Sequence, residues 1–432
     1  MITTKYVRDH LAEIRASLKK RDSKFPLDEL LDLDENWRKM KTELQELQAK
    51  RNKASLEISA LKKKGEDVRG HIAALGELKA QIEQLEAALP SYEAKIDALI
   101  WSTPNTIDAA VPIGMPPDAN KLLGKWGTPK NKASPSHEEI LTKLGLLDME
   151  RAAKVTGARF YYLRGDLVLL EQALLKFALD KMSKKGYTLI EPPFMLKKRY
   201  FRGVAPVATF EDALYRVAEA HEASSNKGIE HMEEDLYLIA TAEHVLAAMH
   251  ADEVFSGKDL PLKYSGISPC FRREAGAHGK DTKGIFRVHQ FDKIEQFIYC
   301  RQEDEEKYFK ELEANSDEIF QELGLHHQKV LLCSGDTGHQ MKKTIDFEAW
   351  FPSQGAYREL ASCSSAGEWQ SVRLDIKYDD RGERKHVVTL NNTAISATRT
   401  SACIVENYYN KEDGTITVPD VLVPYVGKEK IG

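Results

Sequence analysis

The stretch "CFRREAGAHGKDTKGIFRVHQFDKIEQF", residues 270–297, decides the fold because it has the pattern of a β-hairpin with charged residues on both arms. If 270–275 is a strand, Arg272 and Glu274 share a face, since successive side chains of a strand alternate. If 286–299 is the returning strand, its odd positions also share a face: Arg287, His289, Phe291, Lys293 and Glu295. Cross-strand ion pairs on a solvated sheet are the ordinary explanation. The mixture also suits a nucleotide, because arginines bind phosphates and aromatic rings stack on bases.

Two apolar seams at heptad spacing lie near the start of the chain. One runs from Leu30 to Leu61 and the other from Val68 to Leu99, on either side of "KKKGED" at 62–67. Seams of similar length around a short break bury each other only by folding back, so the pattern predicts an antiparallel coiled-coil hairpin. Gly65 suits the position after a helix end, and Pro90 is expected to kink the second helix.

The turn of this hairpin is basic. Residues 50–70 hold seven basic and three acidic side chains. The basic ones are Lys50, Arg51, Lys53, Lys62, Lys63, Lys64 and Arg69. Such a tip could contact a phosphate backbone, although a charged helical face is more often just solvated. Spacing alone leaves a nucleic-acid arm, a partner-binding coil and a spacer all open.

The remaining sequence predicts an α+β fold with an antiparallel sheet flanked by helices. Helices are expected at 167–187, 303–323 and near 398–410, with strands outnumbering helices in the second half. Pro192 and Pro193 interrupt an apolar strand, which indicates a sheet edge or an interface. Thr241 is expected to be the N-cap of a helix.

Composition narrows the class of protein. The chain of 432 residues is long enough for more than one domain, and its 42% hydrophobic content supports a large core. No apolar run is long enough to span a membrane. Five widely spaced cysteines without a CxxC pair indicate a reduced cytosolic protein. The net charge of −5 gives no sign of a nucleic-acid partner unless positive charge is local.

Several motifs together resemble a known family. "FRRE" followed by "RVHQFDKIE" resembles motif 2 of class II aminoacyl-tRNA synthetases, and the whole chain resembles the seryl-tRNA synthetase family. "KKGYTLIEPPFML" is similar to motif 1, the family's dimer interface, and "LIATAEH" to its serine-binding TxE loop. "PSQGAYRELASCSSAGEWQSVRLDIKY" and the run from "TLNNTAISATRTSAC" are similar to the active-site strands and motif 3.

The resemblance implies a role for each matching residue. It implies an ATP site formed by Arg272, Glu274, Arg287, Val288, Phe291, Glu359, Ser362 and Arg399, of which Arg272, Glu274 and Arg399 are the catalytic set. It implies a serine site formed by Thr241, Glu243, Arg272, Glu295, Asn391 and Thr393. Within these sets, Phe291 would stack on adenine, and Glu359 with Ser362 would bind Mg²⁺.

The implied enzyme is a cytoplasmic, homodimeric serine–tRNA ligase without membrane attachment. Its substrates would be ATP, L-serine, tRNA(Ser) and, as is common in the family, tRNA(Sec). Residues 1–105 would be the tRNA-binding domain and 106–432 the catalytic domain. "AISATR" departs from the glycines that many members have before the last arginine, and 202–235 is expected to form a mobile cover over the site.

Three other classes of protein fit the sequence less well. A non-catalytic paralogue should have lost Arg272, Glu274, Glu359 or Arg399, and all four are present. A ligase that charges a carrier protein would lack the long hairpin. A plain coiled-coil scaffold does not account for residues 160–432.

Overall fold

The computed structural model describes residues 4–131, 133–206, 213–218, 234–274 and 284–432. The chain divides into two compact units. The smaller contains the N-terminal residues to 18 and 23–104, and the larger contains 19–22 and 105–432. Most of the expected cover at 202–235 lies outside the described residues.

The smaller unit is built around the predicted helical hairpin. Its helices are α1 (Thr4–Asp9), α2 (Leu11–Lys20, whose last two residues are grouped with the larger unit), α3 (Leu27–Lys63) and α4 (Arg69–Ser102). Helices α3 and α4 bury a shared apolar cluster of Leu44, Leu47, Ile82 and Leu89, which confirms that the two seams face each other. Gly65 follows the end of α3 with φ +77°, as a residue after a helix end should.

Two details of the hairpin concern Pro90 and Ile72. The α4 helix is continuous through Pro90, and the kink expected there stays a prediction. Ile72, which the heptad spacing placed in the seam, is 47% exposed. Burial near the turn therefore differs between the helices, since Ile58 on α3 is buried and Ile72 on α4 is not.

The larger unit contains an eight-stranded sheet within the described residues, as the α+β prediction requires. Its spatial order is β1 (Lys121–Trp126), β10 (His327–Leu331), β11 (Lys343–Phe351), β12 (Ala356–Gly367), β15 (Val388–Ser396), β9 (Gln290–Cys300), β8 (Leu262–Phe271) and β4 (Thr188–Ile190). Neighbouring strands are antiparallel except β4, which pairs parallel to β8 at the edge. The prolines at 192 and 193 follow this edge strand, as predicted.

Smaller elements complete the unit. The helices are α5 (His137–Lys143), α6 (Met149–Val155), α7 (Asp166–Lys184), α8 (Lys198–Val204), α9 (Ala242–Ala248), α10 (Glu305–Glu322), α11 (Trp369–Leu374), α12 (Ala397–Tyr408) and α13 (Val423–Val426), with 3-10 turns at Gln302–Asp304 and Asp420–Leu422. The short strands are β2 (Leu147–Asp148), β3 (Tyr162–Leu163), β5 (Met195–Lys197), β6 (Leu236–Leu238), β7 (Val254–Ser256), β13 (Lys377–Asp380), β14 (Glu383–His386), β16 (Ile416–Thr417) and β17 (Lys430–Ile431).

The two faces of the sheet pack against different sets of helices. The side chains of β9 alternate between these two faces. Its even residues Ile294 and Ile298 join the main core with residues of α7, α10 and α12. Its odd residues Phe297 and Tyr299 join a second cluster with residues of α8, α9 and α11. The odd residue Glu295 lies on this second face, in an open cleft.

The hairpin of the opening stretch is shorter than predicted. Strand β8 ends at Phe271, so Arg272 and Glu274 do not lie on a strand. Glu274 has φ +48°, a left-handed conformation that cannot continue a strand. The returning strand begins at Gln290 rather than 286. Cys270 pairs with Phe291, and the turn at 275–283 lies outside the described residues.

No helix in the described ranges is long and apolar enough to cross a membrane. All five cysteines, each within the described part of the chain, are buried free thiols.

Candidate active site

The cleft on the second face of the sheet has a volume of about 350 Å³ and collects most of the predicted site residues. Eight of them line it: Thr241, Glu243, Arg272, Glu295, Glu359, Ser362, Asn391 and Thr393. They come from the start of α9, the end of β8 and the strands β9, β12 and β15. The sheet therefore brings together side chains that are up to about 150 residues apart in sequence.

Two buried carboxylates form the centre of the cleft. Asn391 Nδ2 donates to Glu243 Oε2 at 3.1 Å and to Glu295 Oε1 at 3.2 Å. Gln370 Nε2 donates to the other oxygen of Glu243 at 3.0 Å. Burial, helped by the charge of Glu295, raises the pKa of Glu243 to about 7. A cation bound between the two carboxylates would offset this cost.

Thr241 and Lys293 complete this centre. Thr241 caps α9 as predicted, with its hydroxyl accepting from the Glu243 backbone N–H at 3.2 Å. Lys293 Nζ donates to the same hydroxyl at 2.7 Å and forms an ion pair with Glu295. The hydroxyl of Thr241 also lies 3.5 Å from Glu295 Oε2. Ammonium, hydroxyl and carboxylate groups are thus in direct contact at the base of the cleft.

Glu359 and Ser362 share the cleft face because of an irregularity in β12. Strict alternation would put residues three apart on opposite faces. The β11–β12 register shifts at this point, with Phe347 opposite Ala361 and Glu348 opposite Glu359. One extra residue, Leu360, restores Glu359 to the face of Ser362. The shared location that the resemblance implied therefore depends on a β-bulge.

A carboxylate opposite Ser362 adds to the oxygen donors here. Asp346 on β11 pairs with Ser362 in the sheet register and also lines the cleft. Burial and the neighbouring Glu359 carboxylate hold the pKa of Asp346 well above its ordinary value. Burial disfavours the charged form of Glu359 too, but the Arg399 and Arg272 guanidinium groups outweigh it, so the pKa of Glu359 is lowered.

Two of the predicted ATP residues, Arg399 and Arg272, act on Glu359, and a third, Phe291, lies beside Arg272. Arg399, in the first turn of α12, donates to the Glu359 backbone oxygen at 3.1 Å and lies 3.2 Å from its carboxylate. The Arg272 guanidinium carbon is 5.2 Å from the ring centre of Phe291. Phe291 itself is buried in a small cluster with Cys270 and Val288. Arg272 and Arg399 thus both place positive charge near the Glu359 carboxylate.

Glu274, Arg287 and Val288 do not line the cleft. Glu274 and Arg287 form an ion pair at 3.2 Å on either side of the turn that lies outside the described residues. Val288 is buried beside Phe291. His289 holds the neighbouring backbone, with Nδ1 at 2.7 Å from the Arg272 backbone oxygen and at 2.9 Å from the Tyr215 hydroxyl.

Some cleft residues were missed from the sequence. Lys293 was on the predicted face of the hairpin, and its alternation with Glu295 was the available signal, but it was given no role. Asp346 and Gln370 had no local signal, because Asp346 approaches Glu359 only through the pairing of β11 with β12, and Gln370 approaches Glu243 only through the packing of α11 near α9.

The basic residues of the arm lie where the sequence predicted, around the end of α3 and the start of α4. Arg51 is half-buried and the other six are exposed: Lys50, Lys53, Lys62, Lys63, Lys64 and Arg69. They are available to a partner from solvent.

The donor set also bears on metal binding. Within the residues that the structure describes, no group of three or more His, Cys, Asp or Glu side chains is arranged to hold a metal ion by itself. Glu359 and Ser362 instead offer oxygen ligands on one face, and Oδ1 of Asp346 is buried without a hydrogen-bond partner. One or two carboxylates that share the ion with substrate phosphates are the usual protein contribution to a Mg²⁺ site, so the residues fit that ion.

Comparison with known proteins gives matches along the whole chain. Residues 1–107 match the family model of the seryl-tRNA synthetase N-terminal domain, and 223–408 match that of the tRNA synthetase class II core domain (G, H, P, S and T). A serine–tRNA ligase of Cenarchaeum symbiosum is 43% identical, with all of both chains covered.

Solved structures give the same result. The crystal structure of seryl-tRNA synthetase from Pyrococcus horikoshii complexed with ATP has a TM-score of 0.91 and 40% identity, and covers 100% of this chain and 99% of that one. The cytoplasmic serine–tRNA ligase of Naegleria fowleri in complex with AMP has a TM-score of 0.83 and 34% identity, with 97% and 95% covered.

Proposed function

Because the chain belongs to the seryl-tRNA synthetase family, we propose that the cleft is its site of serine activation. The activity is the ATP-dependent ligation of serine to tRNA. The observation that best supports the assignment of the site is the contact of Asn391 with both Glu243 and Glu295, beside Thr241 and Lys293. This arrangement suits a small ligand with an ammonium group and a hydroxyl.

Serine binds at the centre of the cleft in this proposal. Glu243 and Glu295 receive its ammonium group, and Thr241 contacts the substrate beside them. Glu295, Asn391 and Thr393 bond its hydroxyl. A site that bonds a hydroxyl rejects alanine strongly, because its own buried polar groups would be left unpaired. Threonine is excluded by the size of its additional methyl group.

ATP binds beside serine, towards Arg399 and the hairpin turn. Arg272 contacts the α-phosphate and the serine carboxylate, and Arg287 and Arg399 contact the outer phosphates. The adenine lies against Phe291, with Glu274 and the backbone at Val288 near its edge. The Arg272 guanidinium above the Phe291 ring brings the phosphate-binding and base-binding parts of this site together.

The first chemical step needs little proton chemistry. A serine carboxylate oxygen attacks the α-phosphorus of ATP. The bond between that phosphorus and the oxygen that bridges it to the β-phosphate breaks. The products are seryl-adenylate and pyrophosphate. The attacking carboxylate is already ionised at neutral pH. The residues therefore act by alignment of the reactants and by neutralisation of phosphate charge, which Arg272, Arg287 and Arg399 provide.

Glu359 and Ser362 are the residues that would hold Mg²⁺, with Asp346 next to them. When bound, the ion supplies further neutralisation of the phosphate charge. Arg399 lies next to Glu359, so the arginine and the carboxylate that would hold the ion are close together.

In the second step a ribose hydroxyl at the 3′ end of tRNA attacks the seryl carbonyl carbon, and AMP leaves. We assign residues 1–105 to tRNA binding and 106–432 to catalysis. The exposed basic tip of the hairpin arm supports contact with a phosphate backbone. The expected substrates are tRNA(Ser) and tRNA(Sec).

The same proposal includes a homodimer in the cytoplasm. Motif 1 includes the edge strand β4 and the prolines after it. Apolar side chains near this edge, Leu189, Met195 and Leu236, are 38–44% exposed. Their burial against a second copy would account for this exposure.

The test is serine-dependent ATP–pyrophosphate exchange without tRNA, with alanine, threonine and cysteine as controls. Exchange with serine alone is expected, because only serine satisfies the hydroxyl-binding groups without a clash. No exchange with any of the four amino acids would favour the non-catalytic paralogue and direct attention to "AISATR" at 394–399.

A further inference from the structure

A buried histidine outside the cleft, His137, bridges two segments that meet the ATP site. It is the first residue of α5 and is 4% exposed. Its Nδ1 lies 2.8 Å from Glu406 Oε1, and its Nε2 accepts from the backbone N–H of Ile285 at 3.3 Å. Because a backbone N–H can only donate, Nε2 has no hydrogen, and the ring hydrogen on Nδ1 is donated to Glu406.

Each partner of His137 belongs to a segment with a phosphate-binding arginine. Glu406 lies on α12, the helix whose first turn carries Arg399. Ile285 lies two residues before Arg287. Glu406 is fully buried and is also bonded by the backbone N–H groups of His137 and of Ser353, both at 3.1 Å. One imidazole ring therefore links the helix that carries Arg399 to the segment that carries Arg287.

A second contact connects the same two segments closer to the arginines. The ring of Phe286, next to Ile285, has its centre 5.0 Å from the guanidinium carbon of Arg399. Phe286 also packs edge-on against Phe351 with ring centres 5.2 Å apart. A shift of Ile285 would move Phe286 and would therefore disturb the aromatic ring beside Arg399.

The backbone before Ile285 passes unusually close to His137. Gly284 has φ +65°, and a Cβ there would lie 2.3 Å from Nε2 of the ring. Only glycine satisfies both conditions without displacement of the imidazole. The backbone at Gly284 therefore packs directly against the His137 ring, three residues before Arg287.

We propose that His137 is a positioning residue for ATP: it fixes Arg287 and Arg399 relative to each other through its two ring nitrogens. The inference rests on the proposed function, since it assumes that both arginines bind the phosphates of ATP. His137 touches neither substrate, so its loss should affect ATP far more than serine.

Two substitutions separate the ring nitrogens. His137→Asn retains an amide donor near the position of Nδ1 but has nothing that reaches Ile285. His137→Gln retains an acceptor near the position of Nε2 for Ile285, and the backbone N–H of residue 137 still donates to Glu406 in place of the lost Nδ1 bond. In the exchange assay at saturating serine, we expect His137→Asn to raise the KM for ATP about tenfold, the effect of roughly one lost hydrogen bond at 1.4 kcal/mol per tenfold. His137→Gln should stay within about threefold of the wild type, by the same conversion.

The KM for serine and the thermal midpoint of each variant are measured in parallel. A merely structural role would lower the midpoint and the amount of active enzyme in both variants while the KM for ATP stays at the wild-type value, and that result overturns the proposal. So does an equal rise in the KM for ATP in both variants. Absence of exchange in the wild type would instead contradict the proposed function itself.

Gly284→Ala tests the same contact if the histidine variants fold poorly. Its methyl group would push the imidazole from Ile285 without removing either partner, so the KM for ATP should again rise about tenfold. A matched control is Gly355→Ala, also at a positive φ but with no atom within 4 Å of the added carbon. An unchanged KM for ATP in Gly284→Ala would count against the proposal.

Discussion

Glu243 should make serine binding pH-dependent in the range just below neutrality. Its carboxylate is buried beside Glu295, which raises its pKa to about 7 from an ordinary 4.5. Only the ionised form pairs with the ammonium group of serine, so below pH 7 part of the binding energy is spent on removal of a proton. The affinity for serine should therefore fall as the pH falls.

The size of the effect follows from the pKa. The KM for serine should scale as one plus the ratio of protonated to ionised Glu243. That ratio is about 0.3 at pH 7.5 and about 10 at pH 6. The expected rise between these pH values is about eightfold. With an ordinary pKa of 4.5 the rise would be only about 3%.

ATP–pyrophosphate exchange at saturating ATP measures this KM in the wild type and in Glu243→Gln. A neutral amide loses a charge-assisted hydrogen bond of about 1.5–3 kcal/mol, so the variant should have a KM about 10 to 150 times higher. Its KM should not change between pH 7.5 and 6, because the titrating group is gone. Glu253→Gln, a change at an exposed carboxylate beside His250, is the matched control and should follow the wild type.

Two results would refute this reasoning. A wild-type KM for serine that is constant across the range would mean that Glu243 is ionised throughout or does not bind the ammonium group. An eightfold rise that persists in Glu243→Gln would assign the titration to a different group.

Two further predictions concern other parts of the chain. Replacement of the lysines at 62–64 by alanine should weaken tRNA charging, with a defect that shrinks at higher salt because salt screens the same contacts in the wild type, and should leave ATP–pyrophosphate exchange intact; Lys79→Ala is the control, and equal loss of both activities would contradict the role of the tip. Glu171→Gln should stabilise the protein at pH 8, because burial and the nearby Asp292 raise the pKa of Glu171 to about 8 from 4.5. The unfolded chain ionises first as the pH rises, so the gain is about 4 kcal/mol at pH 8 and vanishes below pH 4.5, and an equal rise in thermal midpoint at pH 5 and pH 8 would contradict it.

The helical hairpin was predictable because its information is local. Heptad spacing and a glycine after the helix end specify two helices that must fold back on each other. The spacing could not show how far the packing extends. Ile72 keeps the heptad position but is exposed, since neighbours on the opposite helix, and not spacing, decide burial near a turn.

The hairpin of 270–297 was predicted in type but not in extent, for a physical reason. Alternation correctly placed Lys293 and Glu295 together, because both lie within the regular part of β9. It failed at Arg272 and Glu274, because β8 has already ended there and the backbone of Glu274 has a left-handed conformation. A side chain can take that conformation only where the surrounding structure supports it, and the local sequence does not record that support.

The centre of the cleft depends on a balance that sequence pattern cannot describe. Glu243 and Glu295 are 52 residues apart, and each is unremarkable in its own segment. The fold brings both into one buried place, where like charges disfavour ionisation. Asn391 donates to both, Gln370 supports one and Lys293 the other, so the pair is held without being fully neutralised. In the proposed site the ammonium group of serine would supply the missing positive charge, so the burial that disfavours ionisation of the pair in the free protein would favour an amino acid over a neutral ligand.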